Sequence, residues 1–145
     1  MGSLSYAVAA FLVLAPAAAS AADNFISGNY LRSEEICSNA KKNSLQNVIE
    51  DGNMVLSARG FDALEYNCAF VEVSKHPRQD KAWLVTAICE EPGLMSPDVF
   101  SIVERQSGQL DVTSMRDEVS SIKGSEGGED GLSGTFYRCD GVTLP

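Results

Sequence analysis

Two pairs of adjacent carboxylates are the residues of this chain best suited to general acid–base chemistry. They are Glu90-Glu91 and Asp117-Glu118. Hydrolysis of a glycosidic bond needs two carboxyl groups set about 5–9 Å apart across a cleft. Neighbouring residues on a β-strand point to opposite faces of the sheet, so neither pair supplies that geometry alone. We therefore predict that the chain is not an enzyme and keep a carboxylate-based hydrolase as a third functional hypothesis.

The single histidine, His76, lies in a polar segment directly before Pro77. A catalytic histidine works with a nucleophile and an orienting carboxylate. The sequence has no G-x-S-x-G motif that would supply the nucleophile. We therefore interpret His76 as a solvated turn residue and assign no catalytic residue.

An acidic, glycine-rich stretch lies within the one long irregular segment, 116–133. Glu126, Glu129 and Asp130 stand among glycines, as carboxylates do in loops that hold hard cations. The D-x-[DN]-x-[DN]-G spacing of a calcium loop is missing, so we predict no metal site and no cofactor. We interpret 116–133 as a flexible acidic loop and these three carboxylates as candidate interaction residues.

The four cysteines are Cys37, Cys68, Cys89 and Cys139. They contain no C-x₂-C pair and are widely spaced, which argues against a zinc site and predicts two disulfides. Four cysteines allow three pairings, and we favour Cys37–Cys68 with Cys89–Cys139. The main alternative joins Cys68 to Cys89 and Cys37 to Cys139, because a turn near Pro77 sets Cys68 and Cys89 nearly opposite each other.

The first 21 residues have the pattern of an export signal. An apolar run extends from Tyr6 to Ala15, and Ala19-Ser20-Ala21 is a small-residue cleavage site. The run is shorter than the roughly 20 residues of a transmembrane helix. We therefore predict a signal peptide at 1–21 and a mature single β-rich domain at 22–145. That domain is expected in the periplasm or secreted, with no membrane association after cleavage.

The balance of charge limits the classes of partner. The chain has 20 acidic and 11 basic residues, for a net charge of −9. Nucleic acids are bound through clustered Lys and Arg, so this charge argues against a nucleic-acid partner. It permits a basic protein partner, whose approach the acidic surface would favour.

Beyond Asp23, short apolar stretches alternate with turn signals, which predicts an all-β fold. We expect an antiparallel meander of seven or eight strands that forms a partly closed barrel, with a sandwich as the alternative. One short helix begins at Ser33, an N-cap followed by two glutamates, and reaches about Lys41. The predicted strands are 25–31, 45–49, 54–57, 64–73, 82–89, 98–104, 110–115 and 134–139, with a bulge near Phe70-Val71.

Two resemblances accompany this reading. Gly28-Asn29-Tyr30 resembles the G-x-W opening of lipocalin-type barrels, with Tyr30 in the place of the tryptophan. A broader pattern consists of Cys37, Glu65-x-x-Cys68, Trp83, Cys89-Glu90-Glu91-x-Gly93 and Tyr137-Arg138-Cys139. In this pattern the chain is similar to small exported proteins of alphaproteobacteria, a group without an assigned activity. The resemblance implies a β fold and a periplasmic location, and it implies no function.

The leading functional hypothesis is an exported, non-enzymatic binding module whose acidic surface docks a basic envelope or host protein. If that partner were a cell-wall hydrolase, the module would act as an inhibitor. The alternative is a small carrier of apolar ligands that uses the barrel interior. Aromatic residues on most of the predicted strands suit either a packed core or a ligand cavity.

Overall fold

The computed structural model describes residues 25–122 and 131–143. The predicted signal peptide and the candidate interaction residues Glu126, Glu129 and Asp130 lie outside this range. The elements, in chain order, are β1 (Asn29–Leu31), α1 (Glu34–Asn43), α2 (Leu45–Glu50), β2 (Val55–Ser57), β3 (Gly60–Asp62), β4 (Asn67–Lys75), β5 (Ala82–Glu91), β6 (Leu94–Gln106), β7 (Gln109–Ser114), α3 (Met115–Ile122) and β8 (Gly134–Cys139).

The described strands form a closed barrel in which each strand is antiparallel to its neighbours in the chain. The first and last strands complete it, because Tyr30 of β1 pairs with Arg138 of β8. This confirms the predicted all-β antiparallel meander and selects the barrel over the sandwich. Closure pairs the outer edges of both terminal strands, which an open sheet would leave exposed.

Aromatic rings fill the barrel interior. The centroid of Phe61 lies 5.0 Å from that of Phe100 and 5.7 Å from that of Phe136, while Phe70 lies 6.0 Å from Phe100. Phe61, Phe100 and Phe136 are fully buried. Alternating residues of a strand point inward, so a small barrel brings such side chains together in its centre. The interior is therefore a packed core.

Period-2 alternation located the long strands, but the strand predicted at 64–73 begins later and ends later, at Asn67–Lys75. The β6–β7 hairpin and β8 confirm the predictions for 98–104, 110–115 and 134–139. The register of β4 against β5 shifts between Phe70 and Glu72, which confirms the predicted bulge. The first strand is shorter than expected, because only Asn29–Leu31 pairs with its neighbours.

A second core lies outside the barrel, under α1 and α2. Leu31 and Val55 point outward from β1 and β2 and are fully buried beneath Leu45 and Val48 of α2. The prediction of a strand at 45–49 is therefore wrong. Ser44 caps a helix there by accepting from the Asn47 amide at 3.2 Å, so this short apolar stretch follows the helical period rather than period 2.

The predicted helix after β1 is confirmed. The Ser33 hydroxyl accepts from the Ile36 amide at 3.2 Å, and the two glutamates of the first turn complement the helix dipole. None of the helices within the described residues is long and apolar enough to cross a bilayer.

The disulfides are Cys37–Cys139 and Cys68–Cys89. The favoured pairing was therefore wrong, and the alternative is the one found. Cys68 and Cys89 stand directly opposite each other in the β4–β5 ladder, both buried in the barrel core. Cys37 joins α1 to the end of β8 with a Cα–Cα distance of 5.5 Å. Two disulfides indicate an oxidising, extracytoplasmic environment.

The segment 116–133 is not irregular throughout. Its first residues belong to α3, which begins where the Ser114 hydroxyl accepts from the Asp117 amide at 3.2 Å. The pattern Ser114-x-x-Asp117 is a helix-start signal of the Ser/Thr-x-x-acid type. This signal predicts a helix, whereas the polar composition of the segment favours a loop. The structure has the helix.

Candidate functional site at the open end of the barrel

A cleft of about 850 Å³ opens at one end of the barrel. At this end, called the open end below, β1, β3, β5 and β7 finish and β2, β4, β6 and β8 begin. The connecting segments therefore supply its walls, with the packed phenylalanines beneath them. Residues that contribute to the lining include Arg32, Met54, Tyr66, Glu91, Arg116 and Leu132.

Arg116 is clamped across the cleft wall. Its Nη2 donates to Glu91 Oε1 at 3.0 Å, and its Nη1 donates to Ser96 Oγ at 2.6 Å. Its guanidinium carbon lies 5.9 Å from the centroid of the Tyr66 ring. A planar guanidinium that is bonded on two sides is held in one orientation, so the Arg116 charge is positioned rather than mobile.

Tyr66 lies in the β3–β4 turn, although the alternating pattern placed it within a strand. The Tyr66 hydroxyl donates to Cys68 Sγ at 3.3 Å, which ties the turn to the disulfide. Burial raises the pKa of Tyr66, and the positive charge of Arg116 partly opposes this effect. The phenol therefore stays neutral over a wider range of pH than an exposed tyrosine would.

Asp98 lies on β6 beside the start of α3 and is only 4% exposed. Its Oδ2 accepts from Ser114 Oγ at 2.6 Å, and its Oδ1 accepts from the amides of Val99 at 2.7 Å and Arg116 at 3.2 Å. A buried carboxylate is tolerated when its oxygens are bonded in this way. The bonds attach the start of α3 to the interior of β6.

The same network extends to the segment that returns to β8. The Ser114 amide donates to Ser133 Oγ at 2.9 Å, and the Ser133 amide donates to Asp117 Oδ2 at 2.7 Å. The two residues at the start of α3 and the residue before β8 are thereby held together. This fixes the α3 side of the cleft although its parts are distant in the chain.

Arg32 forms the facing part of the cleft, directly after β1. Its guanidinium lies 4.1 Å from the centroid of the Phe136 ring, and it donates to the carbonyls of Ser133, at 2.9 Å, and Gly131. Burial lowers the pKa of Arg32, an effect that the carboxylate of Asp117 opposes. Gly134 has a φ of +136°, and a Cβ there would meet the Arg32 guanidinium. Glycine at this position therefore makes room for Arg32.

Acidic side chains gather around the open end. They lie in the first turns of α1 and α3, at the end of α2, and where β3 and β5 turn into the next strands: Glu34, Glu35, Glu50, Asp51, Asp62, Glu65, Glu90, Glu91, Asp117 and Glu118. Among the described residues at this end, the basic side chains are those of Arg32 and Arg116. The rim is therefore strongly negative.

The opposite end carries most of its charge in ion pairs. Their N–O distances range from 2.7 Å to 3.1 Å. The pairs are Lys75–Asp80, Lys81–Glu104, Arg105–Asp111 and Arg138–Asp140. Among the described residues, the acidic excess is thus concentrated where the cleft opens.

Each of the two carboxylate pairs singled out from the sequence has one member in the cleft and one outside it. Glu91 and Asp117 line the cleft, whereas Glu90 and Glu118 are exposed outside it. The reason given for the second pair was wrong, because Asp117 and Glu118 lie in the first turn of a helix and not on a strand. His76 is exposed at the opposite end, where its Nδ1 accepts from the Arg78 amide at 3.2 Å.

Sequence reasoning missed Arg32, Asp98 and Arg116 as parts of this site, and it considered Tyr66 only as one of several aromatic residues of a core or a ligand cavity. The helix-start signal at Ser114 points to the region, since it places Arg116 and Asp117 in a first helical turn. The two carboxylate pairs also point to it, because Glu91 and Asp117 line the cleft. The contacts of Arg116 with β5 and β6 join residues 20 and 25 positions apart. Such contacts carry no local sequence signal.

No family model, curated protein or solved structure matches this chain. What the open end binds is therefore inferred from its own side chains. These form a carboxylate-rich rim around a cleft that has both polar and apolar walls.

Proposed function

We propose that this protein is a non-enzymatic binding module, periplasmic or secreted, that captures a basic protein segment at the acidic open end. If the partner is a cell-wall hydrolase with a basic surface, binding across its substrate cleft would make the module an inhibitor. The observation that carries this proposal is that, within the described residues, carboxylates without an ion pair are concentrated around a cleft of about 850 Å³.

The two arginines of the open end offset only a small part of the negative charge of the ten carboxylates around it. Arg116 is engaged by Glu91, and Arg32 donates to two backbone carbonyls beside Asp117. Carboxylates such as Glu65, Glu90 and Glu118 remain without an ion pair within the described structure. When one sign of charge predominates around a concave site, the electric field speeds the approach of an oppositely charged partner.

A second candidate is a small carrier of apolar ligands, and the size of the cleft favours it. Ligand sites occupy about 300–1,000 Å³ and combine apolar walls with a few polar groups. Met54, Leu64 and Leu132 supply apolar lining here. Because phenylalanine rings fill the barrel interior, such a ligand would occupy the cleft and not the centre of the barrel.

The proposal is tested by the equilibrium binding of a fluorescent oligolysine peptide and of a basic lysozyme. We expect both to bind at low ionic strength and to weaken strongly at about 0.15 M salt, where the Debye length falls to about 8 Å. The double variant Glu65→Lys and Glu90→Lys reverses two negative charges of the rim. We expect it to bind both probes at least about tenfold more weakly, because complementary charges across the interface are lost.

The matched control is Glu72→Lys combined with Asp80→Lys. It makes the same change in net charge on exposed side chains away from the open end. We expect this control to bind both probes within about threefold of the unmodified protein, allowing for its weaker overall field. Equal losses in the two double variants would show a general charge effect and would contradict a site at the open end. Absence of binding at low salt would also contradict the proposal.

A further inference from the structure

Helix α3 carries an exposed apolar stripe. Met115, Val119 and Ile122 are spaced i, i+4 and i+7, which places them on one face of the helix. The side chains of Met115 and Val119 are 58% and 45% exposed. The other face provides Arg116 and Asp117, whose bonds attach the helix to β5, β6 and the segment before β8. Polar bonds therefore hold α3 in place, and its apolar stripe is directed away from the core.

The outer surface of β6 turns this stripe into the wall of a groove. Pro97 and Val99 flank the buried Asp98 in sequence, so they point to the outside of the barrel. Together with Met115 and Val119 they line a groove of about 450 Å³ between β6 and α3. Exposed apolar surface bordered by polar groups is typical of interaction sites.

Two exposed carboxylates lie near this groove, although they do not line it. Glu118 is exposed on α3 beside the apolar stripe, and Glu90 is exposed opposite Met95 in the β5–β6 ladder. The positive charge of Arg116, which also lines the groove, is paired with Glu91. The groove therefore suits an occupant that presents apolar side chains together with positive charge.

The groove adjoins the open end, because Arg116 contributes to the lining of both the groove and the cleft. We propose that the groove between α3 and β6 receives the apolar side chains of a basic amphipathic segment, whose lysines and arginines meet the carboxylates of the open end. This inference rests on the proposed function, since it specifies the kind of basic partner that the open end accepts.

The test compares two synthetic peptides with the same number and spacing of lysines. One has leucines at the helical positions that form a single face, and the other has serines at those positions. We expect the leucine peptide to bind about tenfold more tightly or better, a difference that a few partly buried apolar side chains supply. Its binding should also show the more negative heat-capacity change by calorimetry, since it buries more apolar surface.

The variant Met115→Gln combined with Val119→Gln removes the apolar wall without a change of charge and retains good helix formers. We expect it to bind the leucine peptide only as tightly as the serine peptide, whose own affinity is unchanged. The matched control is Val71→Gln combined with Leu84→Gln. These side chains are also well exposed, at 67% and 56%, but lie on the barrel wall outside the groove. It should retain the difference between the peptides.

Three results would overturn the inference. If both peptides bind with equal affinity, the groove adds nothing, while the proposed function of the open end stands. If neither peptide binds at low salt, the inference and the proposed function fall together. If the unmodified protein is a dimer by sedimentation and the groove variant is a monomer, the groove is the interface with a second copy of this chain.

Discussion

The two ends of the barrel are held by different kinds of interaction. At the opposite end the ion pairs Lys75–Asp80 and Arg105–Asp111 join residues five and six positions apart, and their side chains are well exposed. At the open end, polar bonds join residues that are distant in the chain, such as Asp98 with Ser114 and Arg32 with Ser133. Exposed ion pairs contribute about 0–1 kcal/mol, whereas buried hydrogen bonds to charged groups contribute more.

The two kinds of interaction serve different purposes: one end closes the barrel, and the other forms the walls of the cleft. The opposite end is closed by apolar packing, in which the ring of Phe25 lies 5.6 Å from that of Trp83. The open end is left as a cleft, so its walls need directional bonds to keep a single shape. The comparison predicts that changes at the opposite end affect stability, and that changes at the open end affect both stability and binding.

The largest effect is expected for Trp83→Ala. Trp83 is buried in the barrel core and contacts Phe25, so its removal should lower the free energy of unfolding by about 3–5 kcal/mol. Urea unfolding measures this change. The remaining folded protein should still bind oligolysine, because Trp83 does not line the cleft. A free energy of unfolding equal to that of the unmodified protein would contradict the packing described for this end.

At the open end, Asp98→Ala should lower the free energy of unfolding by about 2–3 kcal/mol, because three buried donors lose their acceptor. The start of α3 would also lose its attachment, so we expect weaker binding of the leucine peptide. Asp98→Asn is the matched control, since an amide oxygen still accepts part of the network. If Asp98→Ala lowers the free energy of unfolding less than Asp98→Asn does, the hydrogen-bond network does not stabilise this end.

Gly134→Ala is expected to have a smaller effect on stability, about 1–3 kcal/mol, because alanine is strained at a φ of +136°. The added methyl group would also displace Arg32 from its place over Phe136. Urea unfolding measures the loss, and Arg32→Ala provides the comparison. We expect Gly134→Ala to lower the free energy of unfolding less in the background of Arg32→Ala than by itself. Equal losses would show that the added methyl group does not act through Arg32.

The smallest effect is a fall in the free energy of unfolding at alkaline pH. It involves Tyr66 at the open end and Tyr30, which lies near Glu104 and Arg138 of the opposite end. Burial raises the pKa of Tyr30 and of Tyr66 above the ordinary value. A raised pKa in the folded state means that the stabilisation is present below the pKa of the unfolded chain, about 10, and is lost as pH rises through the folded value. The free energy of unfolding should therefore fall above pH about 10.

Tyr30→Phe and Tyr66→Phe separate the two ends in this experiment. Each should make the alkaline fall less steep, because one group no longer titrates. The absorbance of tyrosinate, followed as the pH is raised, reports the ionisation of the same tyrosines directly. An unchanged slope in both variants would show that other groups cause the loss.

The parts of the fold that were predictable from the sequence depend on neighbouring residues. Strand β8 and the β6–β7 hairpin follow from alternation of apolar and polar residues, and α1 follows from Ser33 and the two glutamates after it. Alternation and capping act over two to four residues. They are therefore visible in the chain before any tertiary contact is known.

The elements that were misassigned depend on packing. The short apolar stretch Leu45–Ile49 suits a strand or a helix, and its burial against β1 and β2 selects the helix. Helix α3 lies in a polar segment and is held by Asp98 and Ser133, both distant in sequence. The position of Arg116 in the cleft also depends on distant residues, because its guanidinium donates to Glu91 and Ser96.

The sequence by itself determined the acidic charge, the number of cysteines and the alternation that builds an antiparallel barrel. Only the tertiary structure decided that Cys68 joins Cys89 and that Arg116 meets Glu91. It also decided that, among the described residues, most carboxylates without an ion pair surround one end. The physical reason is that closure of the barrel brings together side chains from all of its strands. Which of them meet depends on register and packing over the whole chain, and not on the residues beside them.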